Sequence, residues 1–454
     1  MGFSAVAGLV VVGIGAAGLA VVLACWRARP GRRFLLVAAG LLGAAVLAGA
    51  GVLSVQAATG QLVPASPPVA LDPNLNGYHK DVEAAGQVYS GEFLKGYYHG
   101  DGSLVYADGS RYSGGFREGR RHGEGSYEDA AGWAYVGAWS RDQIDGEGVY
   151  TGVDGSIYQG GFKLGVRQGQ GSLVYPDGAR FEGRWQDGEP NGPGVLEAAD
   201  GSRVEGSWEN GVAAGTAVKK LADGGEYRGG WSHGVPDGVG TLSSPDGWLY
   251  TGGFDQGLRH GEGELSGGEG GWSYTGGWER GRRAGFGSLR LADGTVCDGD
   301  FRDNLLDGQA SCHYPDGSSY VGAWRADSRH GFGSARYADG SRYEGDWAGG
   351  LRSGQGVMRY ADGSRYQGGW AGGLRDGEGA ITYPDGTTYE GGWARGLKEG
   401  RGVHTYLDPQ TQGYGTYVGY FAGDRRHGEG TYTYPDGYTL AGTWRDDSFA
   451  GRVG

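Results

Sequence analysis

Apolar and polar residues alternate in two short runs that recur every 23 residues from Tyr89 onward. In the clearest copy the first run is Tyr343-Glu344-Gly345-Asp346-Trp347. The second is Gly354-Gln355-Gly356-Val357-Met358-Arg359-Tyr360, closed by Asp362-Gly363. A period of two puts Tyr343, Gly345 and Trp347 on one face and Glu344 and Asp346 on the other, as in a strand with one packed side. Gly354, Gly356, Met358 and Tyr360 point together in the same way. Each unit is therefore expected to be a β-hairpin. A loop of about six residues joins its two strands, and a tight Asp-Gly turn needing positive φ leads to the next unit.

Units begin at Tyr89, Tyr112, Tyr135, Tyr158, Phe181, Val204, Tyr227, Tyr250, Tyr274, Cys297, Tyr320, Tyr343, Tyr366, Tyr389 and Tyr417, fifteen in all, with a sixteenth opening at Leu440. One extra residue near Gly267 to Gly271 and five near Leu407 to Gly413 interrupt the spacing, both after the second strand, where a turn absorbs them. Counted from the first position, Gly stands at +2, Phe or Trp at +4 and Gly at +11 in all fifteen units. Glycine weakens strands, so its abundance needs a reason. A ring lying flat over the glycine of a neighbouring strand covers its bare backbone and supplies one. The period marks a stacked array, predicted as an elongated single-layer antiparallel sheet. At ~4.8 Å per strand, fifteen hairpins extend on the order of 145 Å.

Ahead of the array, residues 3–25 and 34–55 are apolar without a charge, each long enough to cross a hydrocarbon layer of ~30 Å as a helix. Arg27, Arg29, Arg32 and Arg33 lie between them, around Pro30 and Gly31. An arginine-rich turn between two spans is held in the cytoplasm, which puts the array on the other face of the membrane. Gly40, Ala44 and Ala48 form a small-residue stripe for close helix packing. A second reading, a signal cleaved near Val55-Gln56-Ala57, exports the array as well. Residues 59–76, with Pro64, Pro67, Pro68 and Pro73, read as an extended spacer of about 50 Å. Ala85-Gly86-Gln87-Val88 reads as the tail of a preceding half-unit, a cap. The expected domains are 1–57, two transmembrane helices with an Arg-rich loop; 58–88, linker and cap; and 89–454, the repeat array.

The formal net charge is -13, yet basic residues gather at +8 to +10, within the expected longer loop. They include Arg120, Arg121, Arg167, Arg259, Arg282, Arg283, Arg329, Arg352, Arg375, Lys398, Arg425 and Arg426. Turn aspartates such as Asp316, Asp339 and Asp362 fall on the opposite edge. One rim is thus expected to be basic and the other acidic. Basic groups spaced by about 10 Å, near the Debye length, act together on an anionic surface such as lipid headgroups or an acidic polymer. The plainer reading is that these are residues hairpin turns tolerate. Nucleic acid is not an expected partner on the outer face of a membrane.

Catalytic chemistry finds little support. His99, His122, His260, His330 and His427 share position +10, but units about 10 Å apart cannot bring them to one zinc with bonds of ~2.0 Å. Gly230-Trp231-Ser232-His233-Gly234 fits a nucleophile-elbow expression without a strand-to-helix turn to expose the serine. No phosphate-binding loop, carboxylate pair or cofactor motif stands out, and an enzyme is not expected. Cys297 and Cys312 fall in neighbouring strands of one hairpin; buried small residues filling the missing ring's place are favoured over a bridge. Arginine-rich, lysine-poor composition points to a bacterial cell membrane.

The pattern Tyr-x-Gly-x-Trp, a Gly-rich loop, Gly-x-Gly and Tyr-x-Asp-Gly resembles the MORN repeat (membrane occupation and recognition nexus) over residues 89–454. The resemblance implies a non-enzymatic sheet used in protein association and scaffolding, with anionic lipid as a further partner. The pattern departs at Val204 and Cys297, where the first aromatic is absent, and at Ala217 and Ala310, where Gly is absent at +13. These units are expected to pack less well and to mark bends. Two functions stand: a membrane-anchored scaffold, and an extracytoplasmic array reading carbohydrate or another cell-surface polymer through open rings. Buried Trp347, Trp370 and Trp393 favour the first; exposed, stacked rings favour the second.

Overall fold

A computed structural model describes residues 71–268, 271–408 and 411–452. All belong to the second of two units, Leu47–Gly454. The expected transmembrane segments, 3–25 and 34–55, and most of the spacer lie outside the described residues. Among the described residues no helix is long and apolar enough to cross a membrane.

The described residues form one antiparallel sheet of 33 strands, numbered in chain order from β1 (Gly77–Ala84) to β33 (Ser448–Gly451). Each strand pairs with the next in sequence, as β24 (Arg342–Ala348) pairs with β25 (Leu351–Arg359) and β25 with β26 (Arg365–Ala371). The sheet starts earlier than the repeat: β1 lies inside the span assigned to linker and cap, and Ala85-Gly86 is its turn into β2 (Gln87–Leu94). The two insertions fall between β17 (Leu258–Ser266) and β18 (Ser273–Glu279), and between β29 (Leu397–Leu407) and β30 (Tyr414–Ala422).

The two connections are the reverse of what the spacing predicts. The six-residue loop is a two-residue turn. Gly349 and Gly350 have φ of 57° and 81°, and Asp303-Asn304 adopts the same form with 50° and 73°. Positive φ at both central positions is the tight hairpin turn whose twist matches the flanking strands. Positions +8 to +10 consequently extend the second strand. The Asp-Gly connection is the wider one, with Tyr360 N donating to Ser364 O at 2.8 Å and Gly363 N to Tyr360 O at 3.1 Å. Asp362 Oδ1 accepts from Ser364 N at 2.8 Å, which closes the loop.

The fifteen +11 glycines mark a bulge. Gly345 faces Gly356 while Trp347 faces Arg352, so the longer strand holds two extra residues there. Gly354 takes φ of 62° within that bulge. Left-handed backbone is costly for other residues, which accounts for glycine at this position in every unit.

Candidate functional site

All the first-position rings, the +4 rings and the +13 glycines share one face. Tyr343 lies along its own strand with Oη donating to Asp346 O at 3.0 Å, and its ring covers Gly345 and, across the hairpin, Gly356. A Cβ on Gly356 would collide with that ring. Trp347 reaches back instead, its Nε1 donating to Gly333 O of the preceding hairpin at 3.2 Å. Tyr343 thus stands edge-on between two indoles, 5.1 Å from Trp347 at 90° and 5.3 Å from Trp370 at 84°. Tyr366 repeats the arrangement with Trp370 and Trp393. Each such pair contributes ~0.5–1.5 kcal/mol beyond its buried area, and the alternation joins consecutive units wherever the first position is a ring.

The rings are core. Trp347, Trp370 and Trp393 are 4%, 5% and 3% exposed and Tyr343 is 0% exposed. The open ring faces that a sugar-reading array requires are covered. The opposite face stays bare, with Phe332 60% exposed.

The structure divides the twelve basic residues. Arg120, Arg282 and Arg425, at +8, are exposed. Arg282 pairs with Asp303 at 2.8 Å and Arg425 with Asp446 at 3.9 Å, each in the next turn. Arg121, Arg167, Arg259, Arg283, Arg329, Arg352, Arg375, Lys398 and Arg426, at +9, lie inside strands on the ring-bearing face rather than in a loop. Arg352 stacks its guanidinium 4.3 Å from the Trp370 ring and donates to Gly373 O at 2.7 Å. Arg375 does the same with Trp393 at 3.9 Å and Gly396 O at 2.8 Å. Arg167 and Arg259 sit 4.6 and 4.3 Å from Trp185 and Trp278. Arg283 and Arg329 lie 5.3 and 5.2 Å from Phe301 and Trp347. Each of these arginines bridges to the ring of the following unit. Burial pushes Arg167, Arg259 and Arg283 below the usual guanidinium range. Arg121 and Arg426 add ion pairs with Asp142 and Asp447, both at 3.2 Å.

Lys398 differs from the arginines. It is buried, with Nζ 3.3 Å from Nδ1 of the buried His404, which occupies position +15, where Tyr343 has Met358 and Tyr366 has Ile381 opposite. Burial lowers the Lys398 ammonium. Burial, then the charges of Lys398 and Arg426, lowers His404 to about 3, so its imidazole is neutral. Apart from Lys219, the other +15 positions carry apolar or aromatic residues, so a histidine there is the sequence signal for this pair.

The departures from the repeat compensate one another. Where the first position is Val204 or Cys297, position +13 of the same unit is Ala217 or Ala310, and each methyl packs on the glycine that a ring would cover, Gly206 or Gly299. Cys297 and Cys312 face each other in β20 (Val296–Arg302) and β21 (Leu305–His313), Cα atoms 4.1 Å apart, and form a disulfide. A bridge thus stands where two unlinked small residues were favoured, because register places the two side chains opposite on one face. The ring contacts lapse here: Trp324 Nε1 has no partner.

The turn aspartates serve their own loops. Asp339 Oδ1 accepts from Ser341 N at 2.8 Å and from its hydroxyl, and these bonds hold the carboxyl below its usual range. Among the described residues no His, Cys, Asp and Glu cluster is built to hold a metal ion.

The MORN repeat family model matches fifteen consecutive stretches, from 89–111 and 112–133 through 366–388, 389–408 and 417–437. No curated protein matches the chain. Among solved structures, the TCP domain of Drosophila melanogaster SAS-4 in complex with a proline-rich motif of Ana2 is 17% identical, covering 35% of this chain and 86% of that one at a TM-score of 0.23. The TCP10 domain of Danio rerio CPAP, in mutant form, is 13% identical, covering 60% and 99% at 0.13. A streptogramin B lyase is 12% identical, covering 63% and 87% at 0.12.

Proposed function

Because the chain belongs to the MORN repeat family, we propose that it is a membrane-anchored, non-enzymatic scaffold that associates with an anionic partner along its sheet. The observation that carries this reading is the burial of Trp347, Trp370 and Trp393 at 3–5% exposure. Rings so enclosed hold consecutive hairpins together, and what remains for recognition is the row of cations above them and the bare opposite face. A sheet one layer thick offers no enclosed cavity of the kind substrates occupy. A protein is the favoured partner, with anionic lipid as the second reading, favoured by the repeated cations.

Anchoring is inferred from the apolar residues 3–25 and 34–55 and the arginines between them. The Cys297–Cys312 disulfide accords with an oxidising, extracytoplasmic setting. Protease added to intact cells should digest the array; protection would contradict the orientation. Anionic vesicles should lose binding when Arg329, Arg352 and Arg375 are changed to Gln if lipid is the partner, and unchanged binding would remove the lipid reading.

A further inference from the structure

From Arg329 to Arg375 the ring-bearing face repeats one local arrangement: a partly buried arginine, a partly buried tyrosine, and the next arginine. Arg329, Tyr337 and Arg352, over Trp347 and Met358, line an open pocket of about 380 Å³. Arg352, Tyr360 and Arg375 hold the same positions one unit on. Asp339 borders the pocket, but its carboxylate is engaged by Ser341. Among the described residues, none of these three arginines forms an ion pair, unlike Arg121 and Arg426. Arg352 directs Nη2 to Gly373 O and Nη1 to Met358 Sδ, and Arg375 directs Nη2 to Gly396 O. A guanidinium carries five N–H groups, so donors remain for a carboxylate.

We propose that this row binds an acidic, proline-rich segment in the polyproline II conformation, laid along the array with one carboxylate per turn. The inference rests on the scaffold reading above and names the form of its partner. Periodicity selects that form. Two strands per unit space these arginines by ~9.6 Å. A polyproline II helix returns the same side every three residues at ~3.1 Å each, about 9.3 Å, so one acidic residue meets one arginine in each unit. An extended strand returns the same side about every 6.7 Å, and an α-helix advances about 10.5 Å over seven residues, which loses register within a few units. Between the carboxylates, proline rings rest on Tyr337, Tyr360 and Tyr383, as such segments rest on aromatic-lined grooves.

The test uses the full chain in detergent micelles and fluorescein-labelled (Pro-Pro-Glu)6, read by anisotropy. Saturable binding is expected, weaker by about tenfold or more for (Pro-Pro-Gln)6 and for (Pro-Glu)9, whose acidic period is two. Tyr360→Ala should weaken it by a similar factor. Because Arg352 also braces Trp370, Arg352→Lys, which keeps the charge but not the stacked fork, accompanies Arg352→Gln: the first should retain measurable binding, weaker than the parent, and the second should lose it. Equal binding of (Pro-Glu)9 overturns the inference. So does binding of polyglutamate or phosphatidylglycerol vesicles without (Pro-Pro-Glu)6, and either result leaves the scaffold reading standing. Failure of every acidic probe overturns both this inference and the anionic partner it rests on.

Discussion

Gly356→Ala gives opposite results depending on what stands at position 343. Gly356 does not adopt left-handed backbone, so an alanine there meets no conformational barrier. It meets the Tyr343 ring, whose atoms occupy the place of the new methyl. Forcing a methyl into a packed site costs ~1–3 kcal/mol, and the ring, held by its bond to Asp346 O and by Trp347 and Trp370, has little room to move. Tyr343→Val removes the ring and alone approaches the ~3–5 kcal/mol of buried aromatic truncations. In that background Gly356→Ala should stabilise by about 0.4–1 kcal/mol, through fewer unfolded conformations and a filled gap. The double variant then copies the Val204–Ala217 pair of the natural chain. The coupling is about 2 kcal/mol or more. Native-state hydrogen exchange of the β24 and β25 amides reads it, since an array opens locally rather than all at once. A penalty for Gly356→Ala that is the same with and without Tyr343 would refute the claim that the ring dictates the glycine.

Other outcomes follow from the same layer. Arg352→Gln should lower local stability across β25 and β26 by about 1–3 kcal/mol, the loss of a stacked cation and of its bond to Gly373 O, while Arg282→Gln should fall within ~0.5 kcal/mol; hydrogen exchange separates the two. Non-reducing peptide mapping should recover the Cys297–Cys312 link, whose removal by Cys312→Ser frees a span of 15 residues and should cost about 3 kcal/mol in β20 and β21. His404 has its folded pKa lowered to about 3 from 6.5, so its neutral form contributes stability that is complete above pH 6.5 and lost as pH falls toward 3. Amide exchange in β29 should therefore quicken across that window, and His404→Met should flatten the dependence.

The array was legible in the chain because each unit repeats the same instructions. Tyr343, Gly345 and Trp347 alternate, Gly356 answers them, and the rings do cover the glycines. The connections were misread for a physical reason: Asp-Gly is the stronger turn signal, yet Gly349-Gly350, Arg280-Gly281 and Asp303-Asn304 supply two adjacent positive φ values in fewer residues. That error carried the arginines into a loop. A basic residue at +9 reads as a solvated edge until Trp370 is seen beneath Arg352. The pairing of Val204 with Ala217 and of Cys297 with Ala310 was visible as two separate departures, and only the register of the hairpin shows that the methyl fills the place of the ring. The lapse of ring contacts after Cys297 follows from the first aromatic that its unit lacks, which the sequence shows; the disulfide in its place depends on the register.

The central claim is that the rings form the core of the sheet rather than a recognition surface. Oxidation of the folded full chain with N-bromosuccinimide, located by peptide mass spectrometry, tests it residue by residue. Trp347, Trp370 and Trp393 should stay intact while the partly exposed Trp133, Trp248 and Trp272 react. Oxidation of the first three as fast as the second three would contradict the account.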